Sequence, residues 1–340
     1  MKNASVGRHM LQATLTSALR DDGPKRSFRN LVELGEKFSA GRRQRAFFTD
    51  IREMLRKDSS AYYLLWERVV HDTDQDCLKT FGINVGYNGC TAGVRTLRAL
   101  ERLHRCGIPS ILGTCYNGAE MDGKALEDLL RQGEKLGIFT YIVDYRGGDL
   151  DVLAGILAAH KDAGIILLTG DSALTPQAVT LLTVRKNVML AVSAGRPDFS
   201  ETCEALRGAH ALCCVYADYD EARAADILSG EYVERIGAYS DTFVLLLPGE
   251  DVTPETGAAI GAFAASVRRE QRWPFILMEL REDLVGINRS VSRCACVVCF
   301  DEDGRLVTRH GRAADPALNL RTLPLLEIFK KTIPDRKSVV

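Results

Sequence analysis

Hydrophobic positions change rhythm part-way along this chain. From about Ser27 to His71 they recur at three- and four-residue spacing, through Phe28, Leu31, Val32 and Leu34, then Phe47, Phe48, Ile51, Leu55, Tyr62, Tyr63, Leu65 and Trp66. That spacing predicts amphipathic helices, with breaks at Gly41 and at Asp58-Ser59-Ser60. A glycine- and asparagine-containing loop follows from Phe81. Thr91 can cap a further helix carrying Val94, Leu97, Leu100 and Leu103, which Gly107-Ile108-Pro109 stops. Beyond it, short apolar runs alternate with helical patterns. The runs are 110–114, 139–144, 164–168, 188–192, 211–215, 242–247 and 275–278; the helices between them include 124–136, 150–160, 176–183, 199–206, 220–228 and 254–269. Strand then helix, repeated at about 25- to 30-residue intervals, predicts parallel strands with crossover helices. Uniformly apolar runs suit strands covered on both faces. The expected fold is therefore α/β: a partial (β/α) barrel, TIM-like, of about six parallel strand–helix units behind a helical N-terminal region. A doubly wound open sheet is the alternative. The expected domains are a helical region over 1–107, the barrel over 108–285, and a hairpin with its tail over 286–340. The tail from Ile333 to Ser338 is expected to fray.

Composition narrows the function classes. A formal net charge of −1 argues against a general nucleic-acid binder, because affinity for a phosphate backbone comes from neutralising it. The charge is nevertheless uneven, with a basic surplus before residue 60 that includes Gly41-Arg42-Arg43-Gln44-Arg45. That surplus reads as a solvated helical surface or as a contact for an anionic partner. Phe47, Phe48, Tyr62, Tyr63 and Trp66 crowd the same region, although only 7% of the chain is aromatic. Such rings serve either association or the packing of these helices onto the open edge of the barrel. No window approaches the eighteen apolar residues of a membrane span. The ten cysteines form no repeating framework, which predicts reduced thiols and a cytoplasmic protein.

In a barrel of this type ligands sit at the C-terminal ends of the strands. Those ends read Thr114-Cys115, Asp144-Tyr145-Arg146, Thr169-Gly170-Asp171, Ser193, Asp218 and Glu279. They make a polar ring around a small-ligand pocket, or a set of helix caps, since Asp171-Ser172, Asp198 and Asp220 all precede helical patterns. If the ring is catalytic, Cys115, Asp144 and Asp149 are its candidate groups. Cys294, Cys296 and Cys299 raise a metal reading, but a strand would turn Cys299 away from the other two, and a fourth ligand, such as His310, would have to cross a turn. A cysteine-rich buried strand is the competing reading.

The segment from Phe81 to Gly137 runs through a loop, a helix, Ile108-Pro109, a short strand, Cys115 and a second helix. This order resembles the start of the radical S-adenosylmethionine enzymes, in the branch with a helical N-terminal region and a SPASM-like, cysteine-rich C-terminal extension. That family carries three cysteines, spaced C-x3-C-x2-C, that hold a [4Fe–4S] cluster. Here Cys115 stands alone, followed by Asn117-Gly118-Ala119-Glu120-Met121. Gly147-Gly148-Asp149-Leu150 is similar to the family's Gly-Gly-Glu-Pro segment, whose backbone contacts the methionine amino group; both glycines are present, the Glu and Pro are not. The region 297–307 is similar to the hairpin that carries auxiliary cluster ligands, with Ser290 and Thr308-Arg309 where cysteines would stand.

The resemblance covers about residues 75 to 310 and implies a degenerate member. One thiolate cannot hold a reducible cluster, and without a cluster the radical reaction has no electron source. No cofactor is expected, and S-adenosylmethionine would retain only the Gly147-Gly148 backbone. The implied role is a pseudoenzyme: an accessory, regulatory or substrate-binding subunit for an active radical relative or its peptide substrate, or a homo-oligomer. The rival is an enzyme with non-radical chemistry at the barrel mouth.

Overall fold

The computed structural model describes residues 2–20, 23–39, 41–170, 174–292 and 294–334. The expected fraying beyond Pro334 concerns residues outside that range.

Five helices open the chain: α1 (Lys2–Arg20), α2 (Pro24–Phe38), α3 (Arg42–Met54), α4 (Ala61–Asp72) and α5 (Gln75–Gly82). A π-helical segment, Ile83–Ala92, continues α5 directly into α6 (Gly93–His104). Thereafter each parallel strand feeds a helix. The order is β1 (Ile111–Tyr116), α7 (Gly123–Leu136), β2 (Thr140–Tyr145), α8 (Leu150–Ala159), β3 (Gly164–Leu168), α9 (Pro176–Thr183), β4 (Val188–Ser193), α10 (Phe199–Gly208) and β5 (Cys213–Tyr219). It continues through α11 (Ala224–Ser229), α12 (Glu231–Gly237), β6 (Phe243–Pro248), α13 (Pro254–Glu270), β7 (Ile276–Glu279) and α14 (Leu280–Val291). Strands β8 (Val298–Phe300), β9 (Leu306–Thr308) and β10 (Gly311–Arg312) and helix α15 (Leu325–Thr332) complete it.

The ten strands form one sheet in the order β10-β9-β8-β1-β2-β3-β4-β5-β6-β7. The expected count of about six units is corrected to seven, because the four-residue β7 pairs in parallel with β6 and is followed by α14. The C-terminal hairpin joins the same sheet, since β8 pairs in parallel with β1, Gly113 opposite Cys299. Strand β7 ends the order, so the barrel is partial.

Alternate residues on each strand face opposite ways. Tyr141, Val143, Ile165, Leu167, Leu190, Val192, Val215 and Leu246 pack outward against the crossover helices. Ile142, Leu168, Met189, Ala191, Cys214, Tyr216 and Leu245 face inward, where Cys77 of α5 and Leu284 and Val285 of α14 cover them. The N-terminal helices close the open edge: Val32, Tyr62, Tyr63 and Leu65 cluster with Ile276 of β7, and the Tyr62 hydroxyl donates to the Arg268 carbonyl at 3.2 Å. Edge strands need such cover. Of the aromatic group, Tyr62 and Tyr63 are buried and Trp66 stacks on Phe28 at 5.2 Å, so these rings belong to the core; Phe47 is exposed.

The stretch read as a loop with a Thr91 cap is helical throughout, and Thr91 lies buried within it. Its asparagines explain this. The Asn84 amide donates to the carbonyls of Lys161 and Ala163 at 2.8 and 2.9 Å, and that of Asn88 to Asp162 at 2.9 Å. The segment is thus bonded to the turn that enters β3, beneath the sheet. Backbones also meet closely here: a Cβ at Gly93 would lie 2.3 Å from the Gly137 carbonyl oxygen. Gly86, seven residues earlier, has nothing within 4 Å of that position. We expect Gly93→Ala to cost roughly 1–3 kcal/mol by overpacking, and Gly86→Ala to be neutral or stabilising by up to about 1 kcal/mol. Urea unfolding of both variants checks this; equal midpoints would refute the close approach.

Candidate functional site at the C-terminal strand ends

The inward face turns polar at the ends of the strands, as the alternation requires. Asp144 is the last but one residue of β2, two beyond Ile142; Ser193 ends β4 beyond Ala191, and Asp218 follows Tyr216 on β5. With Tyr145, Arg146, Leu168, Gly170 and Leu247 they line a cavity of about 530 Å³. A second cavity, of about 500 Å³, adjoins it and shares Ser193 and Asp218. Its walls include Phe199, Tyr232, Tyr239, Arg223 and Arg235. Both guanidinium groups lie against the Tyr232 ring, that of Arg223 at 4.9 Å and that of Arg235 at 5.3 Å from its centre.

Arg146 organises the first cavity. Its Nε donates to Asp144 at 2.7 Å, and one terminal nitrogen donates to Glu302 at 2.6 Å. Glu302 belongs to the turn between β8 and β9, so the C-terminal hairpin reaches over the end of β2. The two carboxylates raise the Arg146 pKa, Asp144 chiefly, which keeps the guanidinium charged. Asn117 adds a second tie, donating to the Glu302 carbonyl at 3.0 Å. Tyr216 sits at the floor, where its hydroxyl accepts from the Gly170 amide at 3.1 Å. Burial pushes it up to about 12, so it stays neutral.

The expected residues fall in different places. Cys115 neighbours Asp144 across the β1–β2 ladder but is itself buried, 3% exposed. Burial, reinforced by the Asp144 charge, pushes its thiol up to about 12. An activated nucleophile requires the opposite shift. Asp149 caps α8, accepting from the amides of Asp151 and Val152 at 2.9 and 3.2 Å. Gly147 and Gly148 both hold positive φ, at 135° and 97°. A Cβ on Gly148 would stand 2.7 Å from the Gly118 Cα, so this glycine is required by contact between two loops; a Cβ on Gly147 would meet open space. Glu279 is fully buried, accepts from the Tyr219 hydroxyl at 2.8 Å and caps α14. Asp171 and Ser172 lie outside the described residues.

The loop after β1 is closed on itself. Asn117 Oδ1 accepts from the amides of Ala119 and Met121 at 3.0 and 3.1 Å, and the Met121 side chain is fully buried. A [4Fe–4S] cluster does not fit these residues: the loop offers one buried, neutral thiol. Cys299 lies beside Gly113, one inward position below Cys115. Cys294 and Cys296 precede β8 and are joined to each other by a disulfide, which corrects the expectation of reduced thiols at these two positions; the expected strand begins only at Val298. Among the described residues no group of three His, Cys, Asp or Glu has an arrangement suited to a metal ion. Ser290 donates within α14 to Gly286, and Thr308 donates to Gly311 in the hairpin.

Tyr216 and Glu302 were not singled out from the sequence. Tyr216 was within reach, being two residues before Asp218 on one strand face. Glu302 was not, because nothing local ties a turn carboxylate to an arginine 156 residues away.

No known family profile matches the chain, and no curated protein does. Among solved structures it is similar to SuiB of Streptococcus suis bound to its precursor peptide SuiA, at 14% identity and a TM-score of 0.48, over 69% of this chain and 68% of that one. SuiB bound to S-adenosylmethionine gives 13% identity and the same TM-score, over 69% and 67% of the two chains.

Burial keeps the Cys115 thiol protonated and out of contact with solvent. We therefore expect iodoacetamide to leave Cys115 unmodified in the native chain and to label it in urea, as peptide mass spectrometry would show. Labelling of the native chain at the rate of a free thiol would contradict this placement.

Proposed function

We propose that this chain is a radical-S-adenosylmethionine-like pseudoenzyme that works by binding, as an accessory or substrate-binding subunit, and that its ligand is a peptide segment held at the strand ends. The observation that carries this reading is the pair of adjoining cavities that meet at Ser193 and Asp218. One is polar, with carboxylates and a guanidinium that suit backbone amides and carbonyls. The other is walled by Phe199, Tyr232 and Tyr239, which suit an apolar side chain. A compact single ligand would need one pocket; a chain of several residues uses both. The self-closed Asn117–Met121 loop and the neutral Cys115 favour binding over radical chemistry.

A second reading has its own support. The cavity at the strand ends is open and polar, as a non-radical enzyme would require, with Asp144 as the one of its three candidate groups that lines it. Cys115 is buried and Asp149 is occupied as a cap, so that reading rests on the carboxylates alone.

Two measurements test the proposal. S-adenosylmethionine should bind with a dissociation constant of about 1 mM or weaker by calorimetry, because only the Gly147-Gly148 backbone remains to hold it and one such contact contributes about 1 kcal/mol. A micromolar constant would show an intact cofactor pocket and overturn the pseudoenzyme claim. Selection of a random peptide display library on the full chain should enrich sequences that bind at least about tenfold more weakly to Asp218→Arg. Asp218 is exposed where the cavities meet, so the variant should fold. Enrichment that is indifferent to this substitution would overturn the peptide assignment.

A further inference from the structure

A third cavity, on the other side of the molecule, has a different character. It has a volume of about 700 Å³ and lies between the α2–α3 connection and the first turns of α6. Ser39, Gly41, Arg42, Arg45, Val94, Arg95 and Arg98 line it, so four of its seven residues are arginines. Arg42 and Arg45 stand one turn apart on α3, and Arg95 and Arg98 one turn apart on α6. Residues at that spacing share a helix face, so two arginine pairs border one space. Among the described residues no Asp or Glu lines it.

The local chain geometry adds to the charge. Arg98 is anchored, donating from Nε and a terminal nitrogen to the Val291 carbonyl at 3.2 and 2.9 Å. Gly41 lies beside that guanidinium, where an added Cβ would make an ordinary contact at 3.5 Å. Gly41 is also the N-cap of the thirteen-residue α3 and offers no side-chain cap. The first amides of α3 therefore present their partial positive charge near the same arginines. Arg42, Arg45 and Arg95 are exposed. Arg42, Arg45 and Arg95 thus bring like charge to the surface of one cleft, and such charges repel one another more weakly when an anion lies between them.

We propose that this cleft is a binding site for a diphosphate group, carried by a small molecule such as a nucleoside diphosphate or present as inorganic pyrophosphate. Guanidinium forks bind phosphate oxygens in pairs, and four of them match the three or so negative charges of a diphosphate near neutral pH better than those of a single carboxylate. The concave shape favours a small ligand over a nucleic-acid backbone, which would need a continuous basic track. The cleft borders the start of α6, whose backbone packs against the turn before β2, whereas the strand-end cavities lie at the opposite ends of the strands. Its ligand would therefore leave the strand-end cavities free, and its occupancy does not depend on what they bind.

Calorimetric titration of the full chain with pyrophosphate, with ADP and with orthophosphate tests the assignment. Pyrophosphate should bind with a constant in the range of about 10–100 μM, roughly tenfold or more tighter than orthophosphate, and should weaken as salt is raised. Comparable constants for ADP and pyrophosphate would make the diphosphate the whole determinant; tighter ADP binding would place a nucleoside in the cleft as well. Either result supports the site. The double variant Arg42→Ala/Arg95→Ala changes two exposed side chains and should lose roughly tenfold or more in affinity. Arg42→Lys/Arg95→Lys, which keeps charge but not the fork, should fall between it and the original chain. Arg309→Ala, exposed on the distant hairpin, should bind as the original does. Absence of binding at about 1 mM pyrophosphate, or equal affinity in the alanine double variant, would overturn the proposal. So would tighter binding of a glutamate-rich peptide than of pyrophosphate, which would make the cleft a docking site for an acidic chain.

Discussion

A parallel sheet that is apolar on both faces must cover both, and here the inner cover is built from the chain's own helices. The outer face is met by the crossover helices that the topology supplies. The inner face, from Ile142 across to Leu245, is met by α5 and α14, with the π-helical segment bonded beneath β3. Asn288 joins this cover to the approaches to two neighbouring strands, β1 and β8: its Oδ1 accepts from the amide and hydroxyl of Ser110, and its Nδ2 donates to the Cys296 carbonyl. The residue is fully buried, so each of these bonds is made in a setting where leaving one unmade is costly. The lower part of the inner face is filled, and the cavity described above lies at the C-terminal ends, beside Asp144, Ser193 and Asp218.

The same economy governs the top of β1 and β2. Two glycines in different loops, Gly118 and Gly148, touch through their backbones, and both occupy positive φ. The hairpin then closes over them through Glu302 to Arg146, and the segment before α15 does so through Arg321 to Glu120. In this arrangement the loop after β1 is short, internally bonded and pinned by a buried methionine. Such a loop is held by hydrogen bonds of its own. The glycine pair that resembled a cofactor-binding segment is thus half explained by packing: Gly148 is required by its neighbour, and only Gly147 faces open space.

Much of this was legible in the sequence, for physical reasons that differ by element. The strand–helix alternation was clear because uniformly apolar runs of four to six residues have few other uses, and the polar strand ends followed from where those runs stop. Thr91 and the glycines before it misled, because Gly and Asn normally mark loops; here Asn84 and Asn88 spend their amides on carbonyls more than seventy residues away. The seventh unit was undercounted because its strand was read as the run 275–278 but the helix that follows it, α14, was not. The aromatic group allowed two destinations, and only tertiary contact with Ile276 and Arg268 assigned Tyr62 and Tyr63 to the covered edge. The basic surplus around Arg42 was visible as composition, but its partners Arg95 and Arg98 lie fifty residues on, and only folding brings them to one cleft.

The central claim is that this scaffold retains a strand-end binding space while lacking the ligands for radical chemistry. Anaerobic reconstitution of the purified chain with iron and sulfide, followed by metal analysis and absorption spectroscopy, tests it most directly. The account predicts well under about one iron per chain and no broad visible absorption, since Cys115 is a lone, buried, neutral thiol. Recovery of about four irons and four sulfides per chain, lost when Cys115→Ala is introduced, would contradict it.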